Sequence, residues 1–274
     1  MKTLLTLTTA LLFTAGSAFA QSNDASVDQD GDNQEATITQ MGGSNDADVD
    51  QYSDNGGAQT STVIQDGTGN DATVSQSQTG GGNNGGNSAY IEQIGSNNSA
   101  AQTLIAPGSN SGQSVWGLQE GSGNELTQTI TGSYTNSLTA EQDGTGNVAT
   151  QTASGPHSHG EVYQTGDNNE AVQTLAGSNN GYMSSSIIID QDGSDNYAEQ
   201  SMEGYGSSHS NNAVIDQDGA NNVASQDGYG RSLDLELNQT GDFNMSTQTA
   251  TGQGHSSLVD QSGNSNTATV TQSN

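Results

Sequence analysis

The chain has 274 residues with 31 Asp or Glu against two Lys or Arg, no Cys, and 28% hydrophobic residues. A formal charge of −29 disfavours nucleic acid and anionic membrane surfaces as partners, and an exported chain without Cys must do without disulfides. Low hydrophobicity with high charge is the composition of a disordered chain, unless a repeated pattern lets thin apolar stripes bury one another.

Met1 to Ala20 reads as a secretory signal peptide. Lys2 supplies the positive start, Leu4 to Phe13 the apolar run, and Ala18-Phe19-Ala20 a small-residue cleavage site, so that Gln21 begins the mature chain. Its removal leaves Arg231 as the only basic residue. No other apolar run reaches membrane-spanning length, and no membrane insertion is expected. Residues 21–33 read as a short N-terminal strand segment, with a lone strand from Ser22 to Gln29, and residues 34–274 as a repeat solenoid.

A Gln followed two residues later by Gly recurs eleven times: Gln29 with Gly31, Gln40 with Gly42, Gln65 with Gly67, Gln93 with Gly95, Gln119 with Gly121, Gln142 with Gly144, Gln164 with Gly166, Gln191 with Gly193, Gln217 with Gly219, Gln239 with Gly241 and Gln261 with Gly263. Five residues after the Gln stands Asn45, Asn70, Asn98, Asn124, Asn147, Asn169, Asn196, Asn222, Asn244 or Asn266, and in the first copy Gln34. Ala follows at the seventh position in nine copies, with Leu126 and Ser246 in the others. A self-similar unit of this length stacks on copies of itself.

Two residues before the Gln are Val, Ile or Leu, apart from Gly117 and Ala140, and the residues between are polar. That alternation is the signature of a strand with one buried face. The unit is long enough for two strands and two turns at roughly 3.3 Å of rise per residue. One turn, Q-x-G-x-x-N, has constant length, and its Gly admits a positive φ. The other collects insertions such as Gly80–Gly86 and Gly204–Ser208. The expected fold is all-β: a β-solenoid of about ten stacked two-strand rungs with an amyloid-like cross-β arrangement.

After the turn the inner face continues in two forms. Some copies place an aliphatic residue at the ninth position and Gln at the eleventh, as Val49/Gln51, Val74/Gln76 and Val270/Gln272. Others reverse the order, as Gln102/Leu104, Gln128/Ile130, Gln173/Leu175 and Gln200/Met202. Stacked identical amides can satisfy one another as donor and acceptor, so the head Gln, the Asn and the second Gln are expected to form ladders through which further chains assemble.

The pattern Gln, four residues, Asn, five residues, Gln, as in Gln40-x-Gly42-x-x-Asn45-x-Ala47-x-x-x-Gln51, Gln65 to Gln76 and Gln261 to Gln272, resembles the curlin repeat of the curli subunits. The resemblance implies a β-solenoid that polymerises outside Gram-negative cells into amyloid fibres of the biofilm matrix. It also implies a minor nucleator subunit and an outer-membrane secretion channel with its accessory factors as partners, and host or abiotic surfaces as targets. With so few basic residues the chain is closer to a major subunit than to a nucleator.

No catalytic residues, cofactor or dedicated metal site are expected. Asp28 to Asp32 lacks the spacing of a calcium loop. The histidines, His157, His159, His209 and His255, fall in variable turns. Trp116 and the tyrosines have no basic groove beside them for stacking on nucleic acid. Thr pairs such as Thr37/Thr39 are too few for an ice-binding face. The rival reading is a monomeric secreted acidic solenoid acting as an adhesin or cation-binding surface protein.

Overall fold

The computed structural model describes residues 22–54, 57–79, 86–107, 112–132, 134–177, 185–204 and 210–274. The leader Met1–Ala20, most of the Gly80–Gly86 and Gly204–Ser208 insertions, and His209 lie outside these residues. The first strands are β1 (Asp24–Asp30), β2 (Gln34–Gly43), β3 (Asp46–Ser53), β4 (Gln59–Thr68), β5 (Asp71–Thr79), β6 (Asn87–Ser96), β7 (Ser99–Pro107), β8 (Ser114–Ser122), β9 (Glu125–Thr131) and β10 (Ser137–Thr145). There follow β11 (Val148–Ala153), β12 (Ser158–Asp167), β13 (Glu170–Gly177), β14 (Ser185–Ser194), β15 (Tyr197–Gly204), β16 (Asn211–Ala220), β17 (Val223–Arg231), β18 (Asp234–Thr240), β19 (Met245–Gln253), β20 (Ser256–Ser262) and β21 (Thr267–Ser273).

Even-numbered strands form one parallel sheet of ten, in the order β2 to β20, and odd-numbered strands a second of eleven, from β1 to β21. The chain is an all-β, parallel β-solenoid. Each constant turn carries it from a head strand in the first sheet to a tail strand in the second, and each variable turn returns it one layer further on. Register follows the repeat, with Gln142 opposite Gln119 on one side and Gln164 on the other.

Alternation along each strand turns one face into the space between the sheets. Val49, Val63, Ile91, Leu138, Ile189 and Ile215 are fully buried there, with small Ala47, Ala72, Ala149 and Ala198 in the same cluster. The two exceptions to the apolar pattern before the head Gln resolve differently. Gly117 is a matched partner for Leu126, because a Cβ on Gly117 would come within 2.5 Å of the Leu126 Cδ2. A large residue on one sheet is thus met by none on the other, as dense packing requires. Ala140 is itself buried in the core.

The structure corrects one assignment. Gln29, expected to be the first head residue, belongs to the tail column: β1 pairs with β3, placing Gln29 opposite Gln51 and Val27 opposite Val49. Gln34, standing where the other copies have Asn, pairs with Gln59 at the start of the head strands. Among the described residues the solenoid therefore begins on a tail strand, with head strand β2 facing it and no head strand before it.

Candidate functional site

The ten head glutamines from Gln40 to Gln261 form one unbroken column. Each Nε2 donates to the Oε1 of the next rung at 2.8–2.9 Å. The second hydrogen of the same amide crosses the core to a backbone carbonyl at the start of a tail strand, from Gln40 to Asp24 O through to Gln261 to Met245 O, at 2.7–3.2 Å. Fully buried amides such as Gln142 and Gln191 are thereby satisfied within the core.

The asparagines Asn45 to Asn266 form the expected column, but they connect rungs through backbone, with a direct amide bond only from Asn266 Nδ2 to Asn244 Oδ1 among the described residues. The N–H of each Asn donates to the Oδ1 of the Asn below at 2.9–3.1 Å, beginning with Asn45 on Asn23. From Asn45 to Asn244, the Nδ2 donates to the carbonyl of the turn Gly in the rung above at 2.7–3.2 Å. Several, including Asn124, also donate to a carbonyl four residues earlier in their own turn. One side chain therefore ties its own turn to both neighbours.

The turn needs glycine for two reasons at once. Gly121 has φ 109°, and a Cβ there would overlap the carbonyl oxygen of Gly144 in the next rung. The other ten turn glycines also have positive φ. A second left-handed position, two residues after that Gly and outside the repeat motif, is held by Gly69, Gly123 and Gly146, by Asn33, Asn97, Asn168 and Asn221, by Ser44, Ser265 and Asp195 and, with φ 58°, by Phe243. Its sequence signal was the frequency of Gly and Asn there, the residues that enter this region at least cost.

The tail glutamines form two ladders and a single residue. Gln29, Gln51 and Gln76 are joined at 2.6 and 2.7 Å. A longer run, Gln102, Gln128, Gln151, Gln173, Gln200, Gln226 and Gln248, is joined at 2.7–3.1 Å. At the β5–β7 joint Val74 faces Gln102, and at the β19–β21 joint Ala250 faces Gln272. Gln272 therefore does not continue the ladder of Gln248. The Oε1 atoms of Gln102 and Gln272 are buried without a partner, at the two places where the donor below has been replaced by an apolar residue. The main tail ladder thus runs through the reversed form of the repeat, which the Gln51, Gln76 and Gln272 pattern does not capture.

On the outer face of the head sheet, Asp190 lies opposite Asp216 and Asp192 opposite Asp218. Partial burial between strands, then Asp216 and Asp192, raises the pKa of Asp190. Burial, then Asp218 and Glu236, raises that of Asp216, and burial followed by Asp46 raises that of Asp71. Tyr90 and Trp116 stack on adjacent rungs with centroids 6.1 Å apart. The Tyr90 hydroxyl donates to Glu92 at 2.6 Å, and burial with that bond pushes its pKa up to about 12. His159 pairs with Glu161, while His255 lies 3.0 Å from the Thr251 carbonyl. Among the described residues no group of three or more His, Cys, Asp or Glu is placed to hold a metal ion.

The edges of the stack differ. β1 and β2 end the two sheets on one side, β20 and β21 on the other. Among the described residues Gln40 has no head amide beneath it, and Gln261 has none above. Two segments, residues 20–52 and 251–273, match the family model of the curlin associated repeat. No curated protein matches the sequence. The matched segments are the two ends of the solenoid, both built on the Val/Gln form of tail strand, and the head glutamines and asparagines recur between them in the same register.

Proposed function

The chain is a curlin-repeat protein, and from that premise we propose that it is the structural subunit of an extracellular, curli-like amyloid fibre serving adhesion, aggregation and the biofilm matrix. The supporting observation is that both sheets end on unpaired parallel strands, β1 and β2 on one side and β20 and β21 on the other, with the ends of the amide ladders at those edges: outward acceptors on Gln29 and Gln40, and Gln261 and Gln272 at the opposite side. Unpaired parallel edges template further strands. The assembly ladder consists of the head glutamines, the asparagines Asn45 to Asn266, and the tail glutamines, with the turn glycines permitting the close approach of successive rungs. Met1–Ala20 acts as the export signal, and the rest of the chain leaves the cell through an outer-membrane channel of the curli type, with a minor subunit seeding growth.

The test is incubation of purified chain from Gln21 onward at micromolar concentration. Fibres with a meridional cross-β spacing of about 4.7–4.8 Å are expected. A chain that stays monomeric for days at both neutral and acidic pH would instead be a free-standing acidic solenoid.

A further inference from the structure

Resting on the fibre reading and on removal of the leader, we infer that successive copies join through one sheet only, β21 of one copy against β1 of the next, leaving a notch one strand high in the head sheet.

The tail strands at the two ends carry the same inner-face sequence. β21 presents Ala268, Val270 and Gln272, and β1 presents Ala25, Val27 and Gln29, whereas β7 to β19 carry Gln at the middle position. Gln272 leaves the column of Gln248 to adopt this form, at the expense of a buried, unpartnered Oε1. Its Nε2 bonds the Ser256 carbonyl, sixteen residues back, as Gln51 bonds Glu35 and Gln76 bonds Thr60. β21 is therefore shaped as the strand beneath a β1-type strand. In the register of β1 on β3, Gln272 would donate to Gln29 of the next copy, and Asn23 of that copy would donate its N–H to Asn266 Oδ1. The outward residues agree. β1 shows Asp24, Asp28 and Asp30, and these would meet Thr267, Thr271 and Ser273, which carry no charge. Joining two β1 edges would set carboxylates against carboxylates.

The notch follows from layer counting. β1 is fastened to β3 over seven paired positions, by the Gln29–Gln51 bond, and by Gln40 Nε2 on the Asp24 carbonyl. While it stays, β2 of the next copy is held two strand spacings from β20, too far for a ladder bond. The notch is walled by the Gln261 donor and Val259 below and by the Gln40 acceptor and Ile38 above. A strand reading aliphatic-x-Gln-x-Gly would close the head ladder and cover both apolar residues, so the notch selects a single head-type strand of another polypeptide.

The chain has no Cys, so engineered pairs report the junction directly. In fibres of the chain from Gln21 to Asn274, Asp28→Cys with Thr271→Cys places the two Cα atoms one strand spacing apart, within disulfide reach, while Asp50→Cys with Thr271→Cys places them two spacings apart, beyond it. The first pair should form interchain disulfides at least tenfold more than the second. Helical reconstruction should give a subunit repeat of eleven layers, about 53 Å. A labelled peptide of sequence Asn211–Ala220 should bind along the fibre at one per subunit, and a scrambled peptide should not. Cross-linking of the second pair, of neither pair, or a ten-layer repeat overturns the one-sheet junction; peptide binding confined to fibre ends overturns the notch. Absence of fibres would instead remove the assembly reading itself.

Discussion

Gln142 accepts from Gln119, donates to Gln164 and gives its other hydrogen to the Glu125 carbonyl, all without access to water. Its column has a direction, because every donor faces the C-terminal rung and every acceptor the N-terminal one. Gln142→Leu keeps the volume but strands a hydrogen on Gln119 and a lone pair on Gln164. Each buried, unsatisfied group costs about 1–3 kcal/mol, so the variant should lose about 2–4 kcal/mol of stability. Gln261→Leu strands only the hydrogen of Gln239 and should lose less. The check is the urea midpoint of freshly prepared monomer; equal shifts for the two variants would mean that the column contributes nothing through continuity.

At the scale of the strand, the first and last rungs repeat the form of the inner ones but are held on one side only. Replacing Gln261, Asn266 and Gln272 together by Ala should slow elongation on preformed seeds about tenfold or more, a change worth about 1.4 kcal/mol per factor of ten. The same change at Gln142, Asn147 and Gln151 should act on monomer stability and leave elongation by folded chains much less affected. Similar elongation rates for the two triples would assign the amides to folding alone. Most of the architecture was legible because register, alternation and turn length all repeat with the same unit. The entry strand was misplaced for a physical reason: Gln29-x-Gly31 satisfies the head pattern locally, and only pairing with β3 distinguishes a tail strand from a head strand. The ladder from Gln102 to Gln248 was visible only as a swap of Gln and aliphatic residues, since both orders keep the same face apolar and amide-bearing. Whether adjacent copies share an order decides where a ladder breaks, and that depends on which strands are neighbours.

The whole molecule stacks its charge as it stacks its amides, with scarcely any basic residue to offset it. Successive rungs bring Asp190 and Asp192 over Asp216 and Asp218, and the raised pKa values of Asp190 and Asp216 come from burial first and these neighbours second. The sign follows from proton binding. A carboxyl whose pKa is raised on stacking holds its proton more readily in the stacked state than in the dispersed chain, so its favourable contribution is complete below the ordinary aspartate value, about 4, and is lost as pH rises through the raised value. A fibre lines these acidic columns up along one axis, and each added copy brings its own net negative charge against that of the last. Acid should therefore favour assembly, and salt or divalent cations should substitute for protons by screening or bridging the carboxylates. The lag before fibre growth should be several-fold shorter at about pH 4–5, or in millimolar Ca²⁺ at pH 8 on the order of ordinary carboxylate affinities, than at pH 8 in low salt. Replacing Asp190, Asp192, Asp216 and Asp218 by Asn should shorten the lag at pH 8 and flatten its dependence on pH. A lag that is unchanged or longer in acid and in Ca²⁺ alike would show that growth is governed by the ladders alone, with the acidic face a passive, solvated surface.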